Sequence, residues 1–255
     1  LRELAIQYKK ASFIFAGVYD LIELIEDKGS MITNELANIE PIPISSIDNE
    51  SSKDIITIHK DLIHFTEPAI KIIQTVTGNI PFFIQIICKH VGMYCAEKNM
   101  QTVGETDIHR LTSILAGEIK SDCFSIDRLG TQFDACLFKP VGENIINTIL
   151  STVAHNSAKS NLAKPITRAQ IISIWGSHRL DSSGVGVFAK GNNRSFIPSV
   201  QEGIDKLIKR GVLKTINGES GEELYITVDL FRRWWYIDHS ELDIELDKIQ
   251  NEFII

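Results

Sequence analysis

The sequence predicts a mainly α chain, and three observations carry that reading. Apolar residues recur at helical spacing from Ile47 to about Gly117 and again from Ile145 to Arg210. Extended patterns near the start are confined to two short stretches. A single glycine-turned hairpin signal stands around Asn217. With 255 residues, 44% of them hydrophobic, the chain can bury two small cores or one large one.

Residues 1–11 read as the end of a helix. Phe13-Ile14-Phe15-Ala16-Gly17 follows, a continuous apolar run that suits a strand covered on both faces. Leu21, Ile22, Leu24 and Ile25 come next at helical spacing, and the prolines keep Pro41-Ile42-Pro43-Ile44 extended. Strand, helix and strand make one edge of an α/β sheet, assigned to residues 1–46. Two strands do not stand alone, so the remainder of that sheet is expected upstream of Leu1 or in another chain. A start at Leu1 rather than Met, and the apolar end Glu252-Phe253-Ile254-Ile255, read as a fragment.

Residues 47–118 are expected to form a purely helical bundle. Ile55, Ile58, Leu62 and Ile63 make one stripe, and Ile70, Ile73 and Val76 the next. A third helix follows Pro81. A fourth opens with Thr106 or Thr102 as cap and turns Leu111, Ile114 and Leu115 inward.

Residues 119–239 follow a different pattern. Ile145, Ile146, Ile149, Leu150 and Val153 mark one helix, and Thr167–Trp175 a second. Pro198–Arg210 marks a third, with Val200, Ile204, Leu207 and Ile208 buried and Gly211 as its stop. Val212–Ile216, a turn at Asn217–Gly221, and Glu222–Val228 then read as a hairpin. Three helices followed by a β-hairpin is the winged-helix pattern, with Pro198–Arg210 in the recognition position. Residues 240–255, with Leu242, Leu246, Ile249 and Phe253 on one face, are expected to form an amphipathic C-terminal helix.

The stretch Thr77-Gly78-Asn79-Ile80-Pro81-Phe82-Phe83-Ile84-Gln85 places a glycine and a proline three residues apart at the mouth of a long apolar helix. It resembles the Gly-x-Pro motif of the STAND branch of AAA+ ATPases, often Thr-Gly-Gly-x-Pro-Tyr-Phe-Leu-Gln. Tyr225, Asp229, Phe231 and Trp234 are similar to the Tyr-x-Ile-x-Asp-x-x-Phe-x-x-Trp ending of winged-helix domains attached to such ATPases. Pro81 stands where replication-initiator ATPases have the arginine of Gly-x-x-Arg, which favours the STAND branch.

The resemblance covers nearly the whole chain. It implies a C-terminal remnant of an α/β P-loop core (1–46), a helical lid (47–118), a winged-helix domain (119–239) and a trailing helix (240–255). It also implies ATP or ADP, with Mg in the intact parent, as the nucleotide met by Gly78 and Pro81. Val18 occupies the sensor position where relatives often have Ser or Thr, with Tyr19 and Asp20 as substitutes. Partners implied are the missing N-terminal ATPase core, a homo-oligomer, and a DNA or protein effector.

No Gly-x-x-x-x-Gly-Lys-Ser/Thr occurs in the sequence, so the chain lacks the cradle that holds β- and γ-phosphates. It is not expected to hydrolyse ATP, or to bind it tightly, on its own. Gly184-Val185-Gly186-Val187-Phe188-Ala189 fits the letters of a dinucleotide fingerprint, but polar residues flank it where a strand and a helix are needed, so it reads as a loop. The seven histidines and four cysteines, Cys88, Cys95, Cys123 and Cys136, show neither ligand spacing nor a nucleophile motif; no catalytic residue, metal or disulfide is assigned.

Net charge is −7, yet residues 162–239 carry 11 basic against 8 acidic side chains. Lys206, Lys209 and Arg210, with Arg194, are the candidate DNA or phosphate contacts, the competing reading being a solvated face diluted by Glu202 and Asp205. A protein-interaction or oligomerisation module is the third reading. Arg232, Arg233, Trp234 and Trp235 read either as a base-stacking cluster or as a core closure with paired arginines. No membrane span or leader pattern appears, and the chain reads as cytoplasmic.

Overall fold

A computed structural model describes residues 46–122, 143–158, 164–177, 193–218, 221–239 and 242. Contacts divide the chain into Leu1–Ile44 and Ser45–Ile255, and every described residue belongs to the second unit. The strands expected at 13–17 and 41–44, the helix expected beyond Leu242, the Gly184–Ala189 loop, Cys123 and Cys136 lie outside the described residues.

The described residues are mainly helical. A first group holds α1 (Asn49–Ile56), β1 (His64–Phe65), α2 (Glu67–Thr77), α3 (Pro81–Lys98), β2 (Thr102–Val103) and α4 (Glu105–Ala116). A second holds α5 (Glu143–Ala158), β3 (Ile166–Thr167), α6 (Arg168–Ser177), α7 (Asn193–Lys209), β4 (Leu213–Gly218) and β5 (Gly221–Ile226). The last helix, α8 (Asp229–Asp238), packs on α2 and α4 of the first group and on α5 and β5 of the second.

Local chemistry sets the helix ends. Asp48 caps α1, its Oδ1 accepting from the Ser51 N–H at 2.8 Å, and Thr66 caps α2. Asn99 and Gly117 end α3 and α4 in the left-handed region, at φ 54° and 84°. The cap of α4 is Gly104, not Thr106 or Thr102. Asp107 lies one turn on and reaches back to accept from the Gly104 N–H at 2.9 Å, which leaves Thr106 inside the helix and Thr102 in β2.

The first group is not purely helical. β1 and β2 pair in parallel, His64 with Thr102 and Phe65 with Val103, tying the entry of α2 to the entry of α4. Two residues are too few to show a strand's alternation. The predicted stripe through Ile58 and Leu62 also fails, each being 71% exposed. α1 stops at Ile56, so later residues no longer follow its face. Ile70, Ile73 and Val76, and likewise Leu111, Ile114 and Leu115, are buried as expected.

In the second group the order is helix, strand, helix, helix, strand, strand, and the antiparallel sheet runs β3-β5-β4. β3 is the element that the sequence reading missed. Thr167 belongs to it, and its hydroxyl caps α6 by accepting from the Gln170 N–H at 3.1 Å while Gln170 Oε1 accepts from the Thr167 N–H at 2.8 Å. α7 begins at Asn193, before the expected Pro198, which lies inside the helix and cannot donate to the preceding turn. The hairpin closes at Gly218 opposite Gly221, so its loop is two residues rather than the expected five.

Trp175, Trp234 and Trp235 are all buried, and an indole N–H taken out of water needs a hydrogen-bond acceptor. Trp175 Nε1 donates to Thr152 Oγ1 at 2.8 Å and Trp235 Nε1 to Ser151 Oγ at 3.0 Å, so a short polar stripe on α5 is buried without loss. Beyond α4, Asp122 is clamped by Lys98 Nζ and Arg110 Nη2, each at 2.9 Å. The Lys98 hydrogen bond, helped by Arg110, holds its carboxyl down at about 2.

Two measurements check these contacts. Thr152→Val keeps the shape of the side chain but removes the acceptor at a site 1% exposed, so the urea midpoint should fall by an amount equivalent to about 2 kcal/mol. The stabilisation from Asp122 is present above the ordinary carboxylate range and lost as pH falls through about 2, because its folded pKa is depressed. The stability difference between wild type and Asp122→Asn should therefore be widest near neutrality and shrink on acidification.

Candidate functional site

The turn between α2 and α3 holds the two motif residues. Gly78 and Asn79 both adopt the left-handed region, with φ of 59° and 57°. A glycine takes that conformation without strain and an asparagine with little, which suits Asn79 to the position of the second glycine in the resembling pattern. The turn uses its own donors: the Gly78 N–H bonds to the Thr75 carbonyl at 3.3 Å, the Asn79 N–H to Gln74 at 3.2 Å and the Ile80 N–H to Thr77 at 3.2 Å. Pro81, half-buried at the first position of α3, has none to give.

Side chains stitch this turn to the start of α1. Asn79 Nδ2 donates to Asn49 Oδ1 at 2.7 Å, and Gln74 Nε2 donates to the Asn49 carbonyl at 2.7 Å. Beside them an open groove of about 550 Å³ runs between α1 and α2. Lys53 and Glu67 face each other across it at 2.5 Å, and Glu50 and Lys71 complete a charge-balanced rim. Their pairing raises the Lys53 pKa and lowers that of Glu67. Balanced charge gives the groove no preference for anions.

Gly78 also answers a second constraint. A Cβ there would lie 2.5 Å from the Thr227 carbonyl oxygen, in the segment between β5 and α8. The motif turn is thus pressed against backbone of the second group. Tyr19 and Asp20, the other nucleotide-facing candidates, lie outside the described residues.

The candidate phosphate contacts are spread along α7. Lys206 Nζ sits 2.8 Å from Glu202, one turn away. Arg168 of α6 binds Asp205 at 2.7 Å and Glu222 of β5 at 3.2 Å, so acids are interleaved with cations across this face. Lys209 is exposed in the last turn, Arg210 follows it half-buried, and Arg194 belongs to the first turn, about 20 Å away along the axis. Lys206, Lys209 and Arg210 come together; Arg194 does not join them.

The arginine-tryptophan run closes a core. Trp234 and Trp235 are 0% and 2% exposed, which leaves no face for a base. Arg232 is bound to Asp229 at 2.7 Å within its own helix. Arg233 reaches out to the end of α4: Nε donates to Glu118 Oε1 at 2.6 Å, Nη2 to Glu118 Oε2 and to Ser113 Oγ at 2.8 Å, and Nη1 to Thr112 Oγ1 at 3.1 Å. Burial opposes the charge on Glu118, but the Arg233 fork outweighs it and holds the carboxyl below its ordinary value. The sequence carried no local signal for this pair, which is 115 residues apart.

Among the described residues no group of three or more His, Cys, Asp or Glu side chains is placed to hold a metal, and no helix is long and apolar enough to cross a membrane. Burial pushes the Cys88 thiol up to about 11, which keeps it protonated and unreactive.

The two motif residues should respond differently to alanine. Gly78→Ala meets both a left-handed backbone and the Thr227 carbonyl, and should cost at least about 2 kcal/mol in urea unfolding. Pro81→Ala at a first helical position should change stability by less than about 1 kcal/mol. Compared with known proteins, the chain matches no protein-family model, no curated protein and no solved structure.

Proposed function

We propose that this chain is the C-terminal regulatory half of a STAND-like AAA+ ATPase, in which residues 47–118 act as the helical lid and 119–239 as a winged-helix domain. Its task is to turn nucleotide state into movement of the two. The observation that carries this reading is the approach of Gly78 to the Thr227 backbone, because it joins the turn that resembles a nucleotide motif directly to the second group. The helix-strand-helix-helix-strand-strand order with sheet order β3-β5-β4 supports the winged-helix assignment.

Magnitude decides where the nucleotide is gripped. Driving a two-state equilibrium from one side to the other takes roughly 5.5 kcal/mol of differential affinity. A turn whose own N–H groups are already spent supplies little of that. The phosphates of ATP or ADP, with Mg, are therefore held by a phosphate loop outside this chain, and Gly78 and Pro81 sense position rather than charge. The DNA reading is weaker, since Glu202, Asp205 and Glu222 pair with cations on and around α7.

Calorimetric titration of the intact gene product with ADP should give binding, and amide exchange in the same complex should show added protection at residues 77–81 and around Thr227. An intact product with no affinity for adenine nucleotides overturns the proposal. Salt-sensitive duplex DNA binding that collapses when Lys206, Lys209 and Arg210 are changed to glutamate would replace it with the DNA-binding reading.

A further inference from the structure

We infer that the Glu118–Arg233 pair is a release clasp: made, it holds the second group against the first; broken, it lets the two separate. Outside the covalent chain, the two groups meet mainly where α8 lies on α2 and α4, with the Gly78–Thr227 approach and the Lys214–Ser46 bond, 3.2 Å, at its margins. Within this junction Arg233 reaches from α8 to three residues at the end of α4 in the first group.

Its geometry suits an all-or-none contact. Three nitrogens of one guanidinium serve four acceptor oxygens, and all four belong to residues 112–118. The acceptor stretch is itself fixed, since Gly117 turns at φ 84° and the Glu118 N–H bonds to the Ser113 carbonyl at 2.9 Å. Withdrawing one rigid fork therefore breaks the four bonds together. Arg232 cannot take its place, being committed to Asp229.

The clasp is also poised to be solvated. The Arg233 and Glu118 side chains are 15% and 31% exposed, so water reaches both ions soon after they part. Trp234 and Trp235 on the same helix are almost wholly buried, Trp235 Nε1 donates to Ser151 Oγ of α5 at 3.0 Å, and the His239 carbonyl at the end of α8 meets His155 Nε2 of α5 at 3.0 Å. When the clasp opens, α8 accordingly stays with the second group. This rests on the function proposed above only for what drives the opening, and its test uses no nucleotide.

The test compares the full chain with Arg233→Met, Glu118→Gln and Arg233→Lys by amide exchange and small-angle X-ray scattering. Exchange at residues 112–119 and 77–80 should rise at least tenfold in the first two variants, while α5, α7 and the hairpin keep wild-type rates and the radius of gyration increases. Arg233→Lys, which keeps the charge but loses the fork, should fall between. Equal acceleration everywhere, or no change at those two segments, overturns the inference. Should the variants fail to fold, wild-type exchange in low guanidinium decides: opening of 112–119 ahead of the α3 and α5 amides supports the clasp, and exchange only with global unfolding refutes it. Loss of nucleotide binding in the intact product would leave these results standing, which separates the two proposals.

Discussion

The described fold depends on the burial of one face of α8. Leu230, Phe231, Trp234 and Trp235 turn into the protein from a helix of ten residues, and that helix touches α2, α4, α5 and β5. Fully burying large side chains yields about 1.5–3 kcal/mol each, and aromatic pairs add to that, so this short helix contributes heavily for its length. Phe231 and Trp234 stand 5.7 Å apart, as do Phe231 and Trp235, which leaves little slack for any of the three to move alone.

Concentrating aromatic area in one helix creates a polar problem, because each indole brings an N–H into the core. α5 answers with Ser151, which accepts from Trp235, and with the adjacent Thr152, which accepts from Trp175 of α6. The same economy governs charge. Arg232 is paired within its helix, Arg233 at the end of α4, and Arg168 between two acids, so several cations of residues 162–239 serve internal pairing. A count of cations along the chain measured folding needs as much as any affinity for phosphate.

Much of the architecture was legible in the residues, for physical reasons that also mark where legibility ends. Pro81 announced its helix because a proline is free of penalty at a first position, and Ile70, Ile73 and Val76 announced theirs by period. The hairpin was visible in its glycines, but its loop length was not, since Gly218 and Gly221 pair across the strands rather than lying in the loop. β1, β2 and β3 were invisible because two residues show no period. Ile58 and Leu62 misled because helical spacing continues in the sequence after the backbone has left the helix. At the candidate site, Gly78 was found, but one of its two reasons was not: contact with Thr227 joins positions far apart in the chain, and no local pattern encodes it.

The pairing of β1 with β2 carries a consequence for the order of assembly. Its two registers join positions about 40 residues apart, and closing a flexible loop of that size costs about 3 kcal/mol, more than a pair of backbone hydrogen bonds at about 1 kcal/mol each returns. The bridge therefore cannot nucleate anything. It forms once α2 and α3 have folded back on one another and brought Gln101 beside His64, and it is a late rivet in the folding pathway rather than a seed.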